Sequence, residues 1–211
     1  PSLLSVHAIH MLLATLGAEA FIASVRRACA QRGHDLPKTA KPPPSGIYRY
    51  DAGADAMIKR ALNYELPYAT ADAVLDALFR EHIGDPAVFA RELYLSRALV
   101  TEMAAAGMTF GAHTHRHRIL ARLSPGGQEE ELRGGVTLIK ELTGQESVPF
   151  SYPYGQPSTY NASSLRLLQK VGYAAGFNTV RATVDPSRAR RYELPRMDTK
   201  DLPPFTTSFP A

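Results

Sequence analysis

Core-facing positions recur at helical spacing at the start of the chain: Leu3, Leu4, His7, Met11, Leu12, Ala18 and Phe21. The pattern predicts helix to about Gly33, with Gly17 as the joint between two pieces. PKTAKPPPSG, Pro37 to Gly46, then breaks the periodicity, because clustered prolines remove backbone donors and fix φ. Short helices are expected over about 51–66, 70–82 and 85–93, the last opening on Asp85-Pro86, an N-cap followed by the favoured first-turn proline. Ser96 caps RALVTEMAAAG, and Gly107 is its stop signal. From there the period changes. MTFGAH reads as a strand, Ser124-Pro125 opens a helix to about Leu142, VPFSYP is a second strand, NASSLRLLQKVG a helix and AAGFNTV a third strand. Gly126, Gly127, Gly134 and Gly135 weaken the helix that contains them.

Strands alternating with helices of this length predict an α/β architecture with a largely parallel sheet. The chain carries no internal repeat, and its length suits a single domain over 1–211, with the helical segment at about 48–93 as an insertion. Side chains at the carboxyl ends of parallel strands converge on one rim, where ligands bind. That places His113 to His117 and Pro153 to Gly155 together.

Composition narrows the chemistry. The 45% apolar and 21% charged residues are those of a globular chain, and a formal charge of +4 with scattered basic residues gives little support to a nucleic-acid partner. The single cysteine, Cys29, supplies neither an internal disulfide nor a thiolate cluster, so a metal must use His, Asp or Glu. No apolar run approaches the roughly 20 residues of a spanning helix, since LLSVHAIHMLLATLGAEAFIASV carries His7, His10 and Glu19. The chain opens on Pro1 without a methionine, as a piece of a longer protein would.

The seven histidines are unevenly spread: His113, His115 and His117 fall within GMTFGAHTHRH. If the chain turns helical after His113, residues 113 and 117 share a face about 6 Å apart at Cβ, close enough for both imidazoles to reach one ion. A catalytic site then needs a third ligand, usually a carboxylate, and an open position for water. Solvated or core histidines with hydroxyl or backbone partners are the competing account of the same spacing. Downstream, SYPYG, Ser151 to Gly155, reads on its own as a strand-ending turn with Gly155 at positive φ.

The run G-x-H-T-x-x-H-x-x-L-x-x-L-S, with Leu120 and Leu123 as a core-facing stripe and Ser124 as the next cap, resembles the second motif of the polysaccharide deacetylases, the NodB homology domain of carbohydrate esterase family 4. SYPYG is similar to that family's third motif, and NASSLRLLQKVGYAAGFNT and YELPRMD also fit, so the resemblance covers roughly Leu93 to Asp198. It implies a NodB-type distorted (β/α) barrel. It further implies that His113 and His117 bind zinc or another divalent transition metal, with Thr114 orienting a neighbouring group. Tyr154 would offer its backbone N–H to an oxyanion, and Tyr152, Pro153, Tyr154 and Gly155 would line the substrate site.

Departures from the family pattern shape the expectation. Its first motif, T-F-D-D-G, which supplies the base and the third metal ligand, has no match here. Asp35 follows no apolar strand, and Asp51 and Asp55 lie in a helical context. The opening PSLLSVHAIHMLLATLG looks like the segment that normally follows that motif, so the barrel is expected to be incomplete at its N-terminus and the third ligand to come from residues absent from this chain. Ser151 stands near where the third motif usually has arginine, and Arg196 is a substitute that reaches a carboxylate from another direction. The late leucine-histidine motif has no match after Asp198, and neither His82 nor His115 takes its role by spacing.

The resemblance implies a bacterial metal-dependent hydrolase acting on carbon–nitrogen or ester bonds, removing N- or O-acetyl groups from a polysaccharide or acetylated oligosaccharide. This chain, without the aspartates, is expected to bind metal weakly and hydrolyse nothing. A non-catalytic carbohydrate-binding member using a Tyr152–Tyr154 groove, and a metal-dependent amidase for a small non-sugar substrate, are the alternatives. A homo-oligomer is also compatible with the apolar first helix.

Overall fold

A computed structural model describes residues 2–36 and 53–203. The proline-rich loop expected at Pro37 to Gly46, Asp51, and the first residues of the 48–93 segment lie outside the described residues. The chain divides into two compact units, residues 1–95 and 96–211. The expectation from sequence is one domain over 1–211 carrying the 48–93 segment as an insertion.

The first unit is helical: α1 (Ser5–Leu16), α2 (Ala18–Ala30), α3 (Gly53–Arg60), a π-helical turn at Ala61–Glu65, α4 (Tyr68–His82) and α5 (Pro86–Leu93). Gly17, at φ 74°, is the joint between α1 and α2, as the spacing predicts. The inward stripe of α4, Ala71, Val74, Leu75, Leu78 and Phe79, packs into one core with Ala8, Ile9 and Leu12 of α1 and Phe21 and Val25 of α2. The Tyr94 hydroxyl accepts from Leu4 N (2.9 Å) and lies 2.8 Å from His7 Nδ1, which ties the residue after α5 to the start of α1. The helices of the 48–93 segment thus share a core with the N-terminal pair. Periodicity identifies the buried face of an amphipathic helix but not the surface that covers it.

The second unit holds α6 (Arg97–Ala105), α7 (Pro125–Thr143), β1 (Phe150–Ser151), α8 (Ala162–Val171) and β2 (Gly176–Phe177). Its helix starts follow the sequence closely. Ser96 and Ser124 accept from Leu99 N and Gly127 N, and Asn161 with Ser164 forms a reciprocal capping box. β1 and β2 pair in parallel, Phe150 with Gly176 and Ser151 with Phe177. Single parallel bridges, Ala112 to Phe150 and Phe177 to Leu194, extend the ladder on either side. The sheet order therefore follows chain order, with α7 and α8 as the first two crossovers.

The predicted strand MTFGAH is reduced to the bridge at Ala112, and VPFSYP and AAGFNTV shrink to two residues each. Phe110, where the ladder would continue, pairs with a side chain instead: its N–H donates to Gln145 Oε1 (2.8 Å) and its carbonyl accepts from Gln145 Nε2 (3.0 Å). α7 approaches the sheet because it carries glycine there. A Cβ on Gly135 would lie 3.2 Å from Ala112 Cβ and 3.3 Å from the Tyr173 hydroxyl. Gly135, one of the glycines that weaken this helix locally, is what lets it dock.

Candidate active site

Ala112 donates to Pro149 O (2.8 Å) and accepts from Ser151 N (2.9 Å), so His113 and Ser151 leave neighbouring parallel segments at the same level. His113 Nδ1 sits 2.7 Å from the Ser151 carbonyl oxygen. A carbonyl only accepts, so Nδ1 carries the proton and Nε2 keeps its lone pair. Burial holds the His113 pKa below its ordinary value, and the nearby Arg196 guanidinium adds to the effect against the opposing pull of the Ser151 bond.

The expected helical turn after His113 does not form. Residues 113–118 are loop, with Thr114 at φ 61° and His117 at φ 57°. These two left-handed residues, not a helix face, bring the rings of His113 and His117 to 4.8 Å between centres, inclined at 73°. The His117 ring in turn packs 5.1 Å from the Tyr154 ring, edge to face. Tyr154 is the third left-handed residue, at φ 62°. Among the described residues these are the only non-glycines at positive φ, and each such conformation costs about 1–3 kcal/mol. Strain of this kind persists where the surroundings over-determine it, and here it sits on three residues of one cluster.

Gly155, at φ 71°, completes the turn: a Cβ there would fall 2.6 Å from Thr179 Cγ2 and 3.0 Å from Thr179 N. The Thr179 hydroxyl donates to Tyr154 O (3.1 Å), and its N–H to Gly155 O (2.9 Å). Arg196 Nη1 donates to Ser151 Oγ, so the arginine from the YELPRMD segment reaches the same rim from a different strand end. Burial pulls the Arg196 pKa down, with Asp198 opposing.

Other expected residues are placed differently. Tyr152 is a core residue, 1% exposed, its ring stacked on Tyr160 at 4.1 Å and its hydroxyl donating to Tyr192 O at 2.8 Å. It therefore forms no groove wall; as the first residue past β1 it alternates inward, and burial raises its phenol well above the usual range. Pro153 is likewise buried, while Tyr154 is half-buried. The Thr114 hydroxyl is buried and has no hydrogen-bond partner among the described residues, so it does not orient a neighbour here. His115 is exposed, and its side chain lies over Gly134, whose Cβ would be 3.5 Å away.

Sequence reasoning missed Glu131. It is 6% exposed, and its Oε2 accepts from the backbone N–H of both His115 (3.0 Å) and Arg116 (2.7 Å). The signal was present: Gln128, Glu131, Leu132 and Gly135 fall at helical spacing on one buried stripe. Gln128, the first of them, accepts from Ser164 Oγ at 2.7 Å.

The rings fit a metal as a pair of ligands. Two imidazoles on a tetrahedral ion at about 2 Å have ring centres about 5 Å apart, and the Nδ1 proton of His113 directs Nε2 to the ligand role. Among the described residues no group of three or more His, Cys, Asp or Glu completes a site.

The polysaccharide deacetylase sequence profile matches residues 66–176, more than half of the 211-residue chain. The chain belongs to the polysaccharide deacetylase family. The match starts earlier than the Leu93 to Asp198 span marked by the motifs and contains both histidines and the Ser151 to Gly155 turn. A Bacillus subtilis (strain 168) protein, YxkH, whose name assigns it provisionally to the polysaccharide deacetylases, is 31% identical over 98 residues. That alignment covers 46% of this chain and 32% of the relative, so the chain spans about a third of its length. Among solved structures, the Streptococcus pyogenes deacetylase PplD in complex with acetate is similar at 25% identity and a TM-score of 0.44, over 49% of this chain and 44% of that one. The deacetylase domain of BpsB from Bordetella bronchiseptica is similar at 19% identity and a TM-score of 0.43, over 49% of this chain and 48% of that one.

Proposed function

We propose that this chain carries the histidine half of a metal-dependent deacetylase centre that removes N- or O-acetyl groups from a polysaccharide. The observation that supports it most is the convergence of His113, His117 and Tyr154 at one strand-end rim, with left-handed backbone at Thr114, His117 and Tyr154. The parallel order of Ala112, β1, β2 and Leu194 reads as an arc of the NodB-type barrel wall.

In this reading the imidazoles of His113 and His117 would hold the metal, His113 through Nε2. A zinc held there would supply Lewis-acid polarisation of the acyl carbonyl and would lower the pKa of water toward neutral. His113 stays neutral at that pH, because its environment lowers its pKa. Tyr154 aims its backbone N–H at the oxyanion from a turn locked by Gly155 and Thr179. Arg196, fixed on Ser151, keeps positive charge beside His113, where it attracts the carboxylate that completes the centre. In this reading the third-ligand carboxylate and the separate base carboxylate are both supplied from outside the described residues.

Titrating the zinc-loaded chain with an acetylated chito-oligosaccharide, and following side-chain signals of His113, His117 and Tyr154, tests this. Shifts at all three that require the acetyl group are expected. Shifts produced by a small cyclic amide and not by the sugar would move the assignment to an amidase. No change with either would contradict the reading. The carbohydrate-binding alternative is weakened by the burial of Tyr152, which leaves Tyr154 as the remaining aromatic of its groove.

A further inference from the structure

We infer that Glu131 is the positioning residue of the histidine pair: a buried carboxylate on α7 that fixes the 113–118 loop and thereby the place of His117 against His113. The inference rests on reading those two histidines as the ligand pair. One oxygen, Oε2, receives the consecutive amides of His115 and Arg116 at 3.0 and 2.7 Å. Consecutive amides converging on one anion form a nest, a local backbone shape set by the charge it encloses. Here the enclosed charge belongs to the protein itself. The nest lies between the left-handed residues Thr114 and His117, whose backbone conformations are unfavourable for side-chain-bearing residues. Charge-assisted bonds to the two amides between them offset that cost and leave the loop one shape.

The helix is built to receive the loop. Gly134, one turn beyond Glu131, lets His115 lie against α7 at 3.5 Å from where a Cβ would be, and Gly135 lets Ala112 approach at 3.2 Å. The exposed Arg116–Glu130 pair, at 3.7 Å, adds little, since screened surface pairs contribute weakly. The buried carboxylate is therefore the group that holds the loop, and it does so from a rigid helix, not from the loop itself.

The test uses the full chain, metal-free, as Glu131→Ala, Glu131→Gln and Glu131→Asp. Nuclear Overhauser contacts between the ring protons of His113, His117 and Tyr154 report the site, and amide signals of α8 report the fold. In Glu131→Ala the ring contacts should disappear while the α8 signals stay. Glu131→Gln, whose amide oxygen accepts both bonds without the charge, should restore the contacts in part. If the alanine variant does not fold, Glu131→Asp, with its carboxylate drawn back by one methylene, should weaken them. Ring contacts unchanged in a folded Ala or Asp variant, or lost equally in Gln and Ala, would overturn the proposal. Zinc affinity should fall about 10-fold or more in Glu131→Ala, the usual effect of removing a group that orients metal ligands. Absence of any zinc effect on His113 and His117 in the unsubstituted chain would instead count against the metal reading, with the metal-free ring contacts still deciding the role of Glu131.

Discussion

Replacing Gly155 with alanine separates two costs that usually arrive together. Gly155 has φ 71°, and a Cβ there meets Thr179 Cγ2 at 2.6 Å and Thr179 N at 3.0 Å. The left-handed conformation alone costs an alanine about 1 kcal/mol. The contact with Thr179 N adds roughly 1–3 kcal/mol, because a backbone atom cannot rotate away as a side-chain end can. Gly144→Ala is the internal control: φ is 68° and nothing lies within 4 Å, so it carries the conformational cost and no clash. Both glycines lie in the 96–211 unit, so one unfolding transition reports both. In urea, with m of about 2 kcal/mol/M, Gly155→Ala should lower the midpoint by about 1.5 M and Gly144→Ala by about 0.5 M. Adding Thr179→Ser removes the Cγ2 overlap and should recover part of the difference. Equal losses for the two glycine variants would refute the argument that the turn is closed sterically by Thr179.

Other expectations concern ionisation and burial. The depressed His113 pKa means the unfolded chain binds more protons, so stability should rise with pH between the lowered folded value and the ordinary 6.5, then level off. His113→Gln should flatten that part of a metal-free stability–pH curve, and an unchanged slope would contradict the burial argument. Tyr152→Phe removes the bond to the Tyr192 carbonyl and should cost about 1 kcal/mol in urea without altering zinc binding; lost zinc binding at unchanged stability would return Tyr152 to the site. Cys29 is 0% exposed with its thiol pushed up by burial, so it should resist thiol reagents until the 1–95 unit unfolds. Labelling in the native protein would contradict that packing.

Helix positions were legible in the sequence because their signals are local. Asp85, Ser96 and Ser124 each cap where their residue types predict, and Gly17 and Gly107 stand at positive φ where helices end. Strand lengths were not, since a strand extends only as far as a neighbour pairs with it, and Gln145 takes the place of that neighbour at Phe110. The histidine pair was found for a reason that was partly mistaken. Spacing suggested one helical face, but two left-handed residues bring the rings together, a conformation that single-residue propensities disfavour for Thr114. Tyr152 was misjudged because the motif reads alike whether a tyrosine alternates inward or outward. Glu131 lay in plain view within QEEEL, yet only the buried stripe through Gln128, Leu132 and Gly135 distinguishes it from its exposed neighbours.

Zinc calorimetry at neutral pH on the chain, beside His113→Ala and His117→Ala, bears most directly on the claim that these rings form a metal pair. The account predicts weak one-to-one binding that both substitutions abolish while the fold is kept. Binding unaffected by either substitution, or none in the unsubstituted chain, would contradict it.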